Sequence, residues 1–148
     1  MSIPREVSAE NVHGTSVARE GRAVLLTGPS GSGKSDLALR LIDRGFTLVS
    51  DDQTILSRAG DRLTASAPTQ IRGKMEIRGL GIVEMETDSD VPLALIVELT
   101  SEIERIPAEG RTRRILGHSL PVVRIDAMTA SAPAKLALAL DRMGLKLQ

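Results

Sequence analysis

Short apolar runs separated by glycine-containing turns dominate the first half of the chain. The runs AVLLT and FTLVS have the length of buried strands, and NVHGTSVA before them indicates a strand that Gly14 interrupts. Between the two runs, SDLALRLIDR repeats apolar residues with helical spacing, and Gly45 ends this helix. One face of the predicted helix carries Leu37, Ala38, Leu41 and Ile42. The next stretch, QTILSRAGDRLTASAP, predicts two short strands around a RAGD turn.

The second half of the chain contains one long apolar run and ends in a predicted helix. PLALIVELT indicates a buried strand, SEIERIPAEGRT a charged loop and RILGHSLPVVRI a pair of strands. The terminal stretch SAPAKLALALDRM predicts a helix with Ser131 as its N-cap and Pro133 in its first turn. GKMEIRGLGIVEM mixes glycine, charged and β-branched residues and favours no single element. Strands and helices alternate without a repeat or a linker, which predicts one α/β domain over residues 1–148.

Composition supports one domain with an aliphatic core. The chain has 148 residues, a length that suits a single core, and 41% of them are hydrophobic while 26% are charged. It contains one Phe and no Trp or Tyr. Leu, Ile, Val and Ala must therefore fill the interior, and the aromatic platforms on which single-stranded nucleic acid stacks are missing.

Charge and cysteine content exclude several classes of function. The 19 Lys and Arg residues balance 19 Asp and Glu residues, so no strong field favours nucleic acid or a membrane surface. The absence of Cys excludes disulfides and thiolate metal sites, and it fits a reducing cytosol. No apolar run approaches the roughly 18 residues of a membrane span, and MSIPREVSAEN lacks an apolar signal core. We therefore predict a cytoplasmic protein that binds neither nucleic acid nor membranes.

A phosphate-binding loop lies between AVLLT and the first helix. The sequence GPSGSGKS matches the pattern G-x-x-x-x-G-K-[ST] in full, and it has the preceding strand and following helix that this pattern requires. Glycines let backbone N–H groups turn inward around phosphates, and the helix start adds its positive dipole end. Lys34 can reach the terminal phosphates of a nucleotide, and the Ser35 hydroxyl can ligate Mg²⁺. The predicted nucleotide-binding residues are Gly28, Pro29, Ser30, Gly31, Ser32, Gly33, Lys34 and Ser35.

Two strand ends offer carboxylates that could act on a bound nucleotide. FTLVS ends at Asp51 and Asp52, and ALIVEL ends near Glu98. A carboxylate beside a phosphate loop can hold Mg²⁺ or act as a base toward an acceptor hydroxyl, and adjacent side chains that point opposite ways offer both roles. Glu98 has the position of a carboxylate that orients water in an ATPase. The local pattern does not choose between the aspartate pair and Glu98.

Together with a later segment, these motifs resemble a known family. VHG, the phosphate loop, a helix ending in Arg-Gly, the paired aspartates and EIRGLGI occur in this order between Val12 and Glu84. The combination is similar to HPr kinase/phosphorylase, whose members phosphorylate a serine of the phosphocarrier protein HPr. The resemblance implies a P-loop kinase-type α/β domain with a mixed β-sheet, related to the phosphoenolpyruvate carboxykinase-like fold. It also implies ATP and Mg²⁺ as cofactors and HPr as the protein partner.

The resemblance implies a role in phosphoryl transfer for individual residues. Asp52 would be the general base that takes the serine proton, and His13 would lie beside Asp52 and tune it. Lys34 would stabilise the phosphates of the nucleotide. Ser35 and Glu76 would ligate Mg²⁺.

The chain departs from the family pattern at several points. ERIP stands where the family has DRLG, which makes Arg105 the candidate for the catalytic arginine. Residues 126–131 read DAMTAS where the family has a proline-glycine-arginine-asparagine element tied to the reverse reaction, so we expect a kinase with weak phosphorylase activity. The chain begins almost at the catalytic domain, as in a short form without the family's N-terminal domain. Hexamers in the family imply that this chain forms a homo-oligomer.

Two alternative functions remain open from the sequence. EGRTRR is similar to the arginine-rich lid of small-molecule P-loop kinases, and a nucleotide-sensing regulatory domain would bind ATP without transferring phosphate. The EIRGLG segment argues against the first alternative. The combined presence of Lys34, Ser35, Asp52 and Glu76 argues against the second.

Overall fold

A nine-stranded sheet carries α-helices in the computed structural model, which describes residues 8–107 and 109–147. The elements in chain order are β1 (Ala9–His13), β2 (Thr15–Arg19), β3 (Arg22–Thr27), α1 (Lys34–Ile42), β4 (Thr47–Ser50), β5 (Gln53–Ala59), β6 (Arg62–Ser66), a 3₁₀ turn (Thr69–Ile71), β7 (Lys74–Ile77), β8 (Gly81–Glu84), β9 (Val91–Leu99), β10 (Thr112–Ile115), β11 (His118–Ile125) and α2 (Ala132–Met143).

Strand β3, which leads into the phosphate loop, lies inside the sheet. It pairs in parallel with β9 on one side and antiparallel with β2 on the other. The order is β1-β5-β6-β9-β3-β2-β4, with β11 parallel to β9 and β10 antiparallel to β11. This arrangement confirms the predicted α/β fold with a mixed sheet. The carboxyl ends of β3, β9 and β11 meet at one edge, which is where open α/β sheets bind ligands.

Aliphatic side chains fill both faces of the sheet, as the near absence of aromatic residues predicts. Helices α1 and α2 pack on one face, where Leu26 of β3 meets Leu37 and Leu136. Leu25, the neighbour of Leu26 in β3, points to the opposite face and packs in a second cluster with Leu56. Full burial of each such side chain contributes roughly 1.5–3 kcal/mol relative to exposure. The packing on both faces holds β3 and α1, and therefore the loop between them, in place.

The hydropathy pattern predicts these elements well, with two local differences. Gly14 separates β1 from β2 as expected, and the undecided stretch GKMEIRGLGIVEM forms a separate hairpin of β7 and β8. Ile42, predicted on the buried face of α1, is only half-buried because it is the last residue of the helix. Ser131 occupies the N-cap position of α2, but its side chain makes no capping hydrogen bond. The prediction for Ser131 is therefore correct in position and wrong in the bond that it implies.

Candidate functional site

The phosphate loop crosses from β3 to α1 through glycines in conformations that other residues rarely adopt. Gly28 has φ 151° and Gly33 has φ 95°. A Cβ atom at Gly28 would lie 2.7 Å from Ser32 Oγ and 3.1 Å from the carbonyl oxygen of Leu99. Ser32 Oγ is buried inside the loop and has no hydrogen-bond partner among the described residues. Because a buried hydroxyl without a partner is costly, the loop is suited to a ligand that offers oxygen atoms, such as a phosphate.

Lys34 lies at the first position of α1 with its ammonium group folded over the loop. Its Nζ donates to the carbonyl oxygens of Gly28 at 2.7 Å and of Pro29 at 3.0 Å. The side chain is buried, so these two bonds compensate a charge that has lost most of its water. An anion in the loop would meet an ammonium group that is already held at the loop's centre.

Asp51 joins the loop to the rest of the site. Its Oδ1 accepts a hydrogen bond of 2.7 Å from Ser35 Oγ and another of 3.2 Å from Thr15 Oγ1. Its Oδ2 accepts the backbone N–H of Glu76 at 3.3 Å. Asp51 is buried, so three donors surround a carboxylate that water barely reaches. From the sequence, Asp51 and Asp52 were predicted jointly for the metal and base roles, and only Asp52 received an individual role, although Asp51 follows the same apolar strand.

Asp52 is turned away from Asp51 and faces solvent. Its φ is 69°, in the left-handed region that is uncommon for residues other than glycine. Two bonds hold this conformation: the N–H of Asp52 donates to Thr15 Oγ1 at 3.1 Å, and its carbonyl oxygen accepts from the Gly14 N–H at 2.8 Å. Oδ1 of Asp52 lies 3.8 Å from Nε2 of His13, and the two side chains are 65% and 58% exposed. The structure therefore places His13 beside Asp52.

Oxygen atoms suited to a divalent cation lie next to the loop. Ser35 Oγ and Asp51 Oδ1 are 2.7 Å apart, and Glu76 contacts Asp51 through its backbone with its own side chain exposed. Within the described part of the chain, no group of three or more His, Cys, Asp or Glu side chains could hold a metal alone. Mg²⁺ is usually bound by one or two carboxylates together with substrate phosphates and water. The residues present fit Mg²⁺ that arrives with a nucleotide.

Glu98 lies on the other side of the loop from Asp51. It is paired in register with Thr27 of β3 and with Arg124 of β11, and its Oε1 accepts from Arg124 Nε at 3.3 Å. A cleft of about 370 Å³ opens here, bordered by Glu98, Arg124 and the loop residues Gly28 and Pro29. Glu98 therefore borders the loop at Gly28 and Pro29, with an arginine as its partner.

The arginines that the sequence suggested for the reaction are Arg105 and those of EGRTRR, and they lie in different surroundings. Arg105 is exposed in the loop between β9 and β10, and it makes no hydrogen bond or ion pair with residues of 8–107 or 109–147. In EGRTRR, Arg111 pairs with Glu104 at 3.6 Å, while Arg113 and Arg114 belong to β10. Two arginines of EGRTRR therefore belong to a strand paired with β11, which does not support the interpretation of this segment as a lid.

Residues 126–131 lie against the end of the phosphate loop, a contact that the sequence analysis did not predict. A Cβ atom at Gly33 would lie 3.2 Å from Cβ of Ala127 and 3.4 Å from Cε of Met128. Arg40 of α1 holds the segment by donating to the carbonyl oxygens of Ala127 at 2.5 Å and Thr129 at 3.3 Å. Met128 is 71% exposed, so an uncharged side chain borders the loop at this position.

Across the described part of the chain, no helix combines the length and the apolar character that crossing a bilayer demands.

Residues 6–142 match the family described as "HPr Serine kinase C-terminal domain". The HPr kinase/phosphorylase of Chlorobium luteolum is 38% identical over 130 residues, which are 78% of this chain and 39% of that protein. The one from Burkholderia lata is 36% identical over 132 residues, covering 81% of this chain and 40% of that protein.

Among solved structures, the Hpr(Ser) kinase/phosphatase from Coxiella burnetii has a TM-score of 0.77 and 27% sequence identity. The match covers 89% of this chain and 94% of the solved one. The chain thus spans nearly all of that structure and about 40% of the length of the curated relatives.

Proposed function

The chain belongs to the family of HPr serine kinase C-terminal domains, and we propose that it is an ATP- and Mg²⁺-dependent kinase that phosphorylates a serine of the phosphocarrier protein HPr. The observation that carries this proposal is the division of two consecutive aspartates beside one phosphate loop. Asp51 is buried and bonded to Ser35, whereas Asp52 is exposed beside His13. Phosphoryl transfer to a protein hydroxyl needs one carboxylate at the metal and one that the incoming hydroxyl can reach.

The loop and Lys34 are proposed to bind the β and γ phosphates of ATP. Backbone N–H groups and the start of α1 supply donors for the phosphate oxygens. Lys34 Nζ would exchange the carbonyl oxygens of Gly28 and Pro29, which it now contacts, for oxygens of the nucleotide. The Ser32 hydroxyl, which lacks a partner among the described residues, offers one further donor.

Ser35, Asp51 and Glu76 are proposed to hold Mg²⁺. When bound, Mg²⁺ would neutralise charge on the β and γ phosphates. The hydrogen bond from Ser35 to Asp51 keeps two of these oxygen ligands together before any ion arrives. The backbone bond from Glu76 to Asp51 keeps the hairpin of β7 and β8 at the same place, which supports a contribution from Glu76.

Asp52 is proposed as the general base, with His13 positioning it. The carboxylate takes the proton of the substrate serine while the serine oxygen bonds to the γ-phosphorus. The bond from that phosphorus to the bridging oxygen breaks, and ADP leaves. Exposure of both Asp52 and His13 supports an acceptor on the surface of another protein, because a small molecule would be expected in a more enclosed pocket.

The forward reaction is proposed to dominate, and Arg105 remains the candidate for a catalytic arginine. The reverse reaction requires inorganic phosphate to be held where the γ-phosphate leaves. Met128 borders the loop in a segment, DAMTAS, without a cation, which supports weak phosphorolysis. Following the family resemblance, we also propose a single-domain cytoplasmic protein that assembles into a homo-oligomer.

The test is incubation with ATP, Mg²⁺ and purified HPr, followed by mass spectrometry of the phosphorylated site. Phosphoserine on HPr is expected with the unmodified chain and with Arg44→Ala, an exposed control, but not with Lys34→Ala. ADP formation without phosphoserine would instead identify a hydrolase. Nucleotide binding without any turnover would identify a sensor.

A further inference from the structure

A second cavity lies away from Asp51 and Asp52, between α2, β11 and the loop that precedes β10. Its volume is about 700 Å³, within the range of small-molecule sites. Its walls come from three segments, which are the loop that precedes β10, strand β11 and helix α2. We call this cavity the α2 groove.

Apolar side chains line the α2 groove and remain accessible. Leu138 and Met143 of α2 are 53% and 54% exposed, and Ile103 on the opposite wall is 46% exposed. Val123 of β11, which packs against the same core cluster as α2, also borders the groove. Apolar surface concentrated in a concave site of this size marks a binding site more often than a random patch does.

Some charged side chains around the groove have an ion-pair partner, and others have none among the described residues. Glu104 pairs with Arg111 at 3.6 Å, and Arg124 pairs with Glu98 at 3.3 Å. The side chains of Lys135 and Arg142 have no hydrogen-bond or ion-pair partner within 8–107 and 109–147. They stand seven residues apart on α2, so they project from the same side of the helix.

Glu109 is a further acid on the loop wall, opposite α2. The α2 wall therefore combines two uncompensated cations with the apolar surface of Leu138 and Met143. This pattern complements a molecule with an apolar body and an acidic group.

We propose that the α2 groove binds an amphipathic organic anion, with its apolar body on Leu138 and Met143 and its carboxylate or similar group on Lys135 or Arg142, which stand about two turns apart on the helix. A small molecule fits better than a protein surface, because the site is concave and its volume matches that of single ligands. Long cationic side chains suit this arrangement, since their methylene stems cover apolar surface while their charged ends stay at the rim.

Arg124 places the groove next to the nucleotide site. It borders the α2 groove and also the cleft beside Gly28 and Pro29, where it pairs with Glu98. A ligand in the groove that shifts β11 at Arg124 would therefore also alter the wall of the cleft. The proposal therefore includes coupling between the two sites, a part that rests on the proposed nucleotide binding at the loop.

Binding is tested with decanoate as the probe, by calorimetry and by NMR titration of the unmodified chain. Decanol has the same apolar chain without a charge, and decyltrimethylammonium has it with the opposite charge. Decanoate is expected to bind at least about tenfold more tightly than either. The double substitution Lys135→Gln and Arg142→Gln should remove this preference, and Leu138→Gln should weaken binding of decanoate. Arg44→Gln and Ile82→Gln, which change exposed residues outside the groove, should leave the affinity unchanged.

Equal affinity for decanoate and decanol would overturn the proposal, as would full affinity in the double variant. Failure of decanoate to bind, together with an oligomer that Leu138→Gln dissociates in sedimentation, would show that the groove is a contact between copies of the chain. None of these outcomes involves nucleotide or HPr, so they leave the kinase proposal standing.

Coupling is tested by the affinity for Mg²⁺–ADP with and without saturating decanoate. A change of about fivefold or more is expected in the unmodified chain and should be lost in Arg124→Gln. An unchanged affinity for Mg²⁺–ADP would overturn the coupling. A complete lack of ADP binding would count against the proposed function instead.

Discussion

The Ser35 hydroxyl donates a hydrogen bond of 2.7 Å to Oδ1 of Asp51. This bond links the last residue of the phosphate loop to the end of β4, across 15 intervening residues. It makes Asp51, rather than Asp52, the carboxylate at the proposed metal position. Asp51 and Asp52 therefore have different proposed roles, and their substitution should have different effects.

Asp51→Asn should weaken the response to Mg²⁺ by at least about tenfold, because the amide offers a neutral oxygen in place of a charged one. The measurement is the Mg²⁺ concentration that gives half-maximal transfer to HPr at saturating ATP. Asp61→Asn changes an exposed aspartate in the turn between β5 and β6 and should behave like the unmodified chain. An unchanged Mg²⁺ requirement in Asp51→Asn would mean that other residues hold the ion.

Asp52→Asn should lower the rate of transfer by at least about a hundredfold, the scale of a positioned acid–base group, while ATP still binds. Glu98→Gln should cost little activity, because Glu98 pairs with Arg124 whereas Ser35 bonds to Asp51. The two rates are compared in single-turnover assays with HPr. If Glu98→Gln proves the more damaging, the site activates water and the kinase assignment fails.

Lys34→Ala should abolish nucleotide-dependent transfer, since Lys34 is the residue of the loop whose side chain supplies a cation. It should also weaken nucleotide binding in a fluorescence titration. Arg40→Ala provides a comparison within α1, because it removes the bonds to Ala127 and Thr129 but no loop cation. Activity of Lys34→Ala equal to that of the unmodified chain would remove the proposal entirely.

The chain should phosphorylate HPr faster than it releases pyrophosphate from phosphoserine-HPr in excess inorganic phosphate. Met128→Arg should raise the reverse rate, because it adds a cation beside Gly33. Ile106→Arg adds a cation at another exposed apolar residue and should leave the ratio of the two rates unchanged. Similar forward and reverse rates in the unmodified chain would show that a cation at this position is dispensable.

Gly14→Ala should lower the free energy of unfolding by about 1–3 kcal/mol. A Cβ atom at Gly14 would lie 2.8 Å from the carbonyl oxygen of Leu26 and 3.0 Å from Cδ1 of Leu25. Urea denaturation measures the loss, with Asn11→Ala on the exposed face of β1 as the control. Because the Gly14 N–H also bonds to Asp52, transfer to HPr should fall as well. A Gly14→Ala variant as stable as the unmodified chain would contradict the crowding at this position.

Local elements could be predicted from the sequence because each depends on residues close together in the chain. Glycine spacing and the flanking apolar runs are sufficient to predict a phosphate loop between β3 and α1. The alternation of apolar and polar residues around RAGD is likewise sufficient to predict β5 and β6. The helical spacing of apolar residues is sufficient to predict the two helices. GKMEIRGLGIVEM could not be assigned, since its hairpin packs outside the main sheet and its exposed residues carry no clear alternation.

The sequence by itself determined the fold class, the phosphate loop, and the aspartate pair and Glu98 as the carboxylates to consider. Only the tertiary structure decided that Asp51 bonds to Ser35 while Asp52 faces solvent beside His13. The left-handed backbone at Asp52 depends on Thr15 and Gly14, more than 30 residues earlier. Contacts at such separations, including Met128 beside Gly33, form only when the sheet brings distant segments together. No periodicity within a short stretch of sequence can express them.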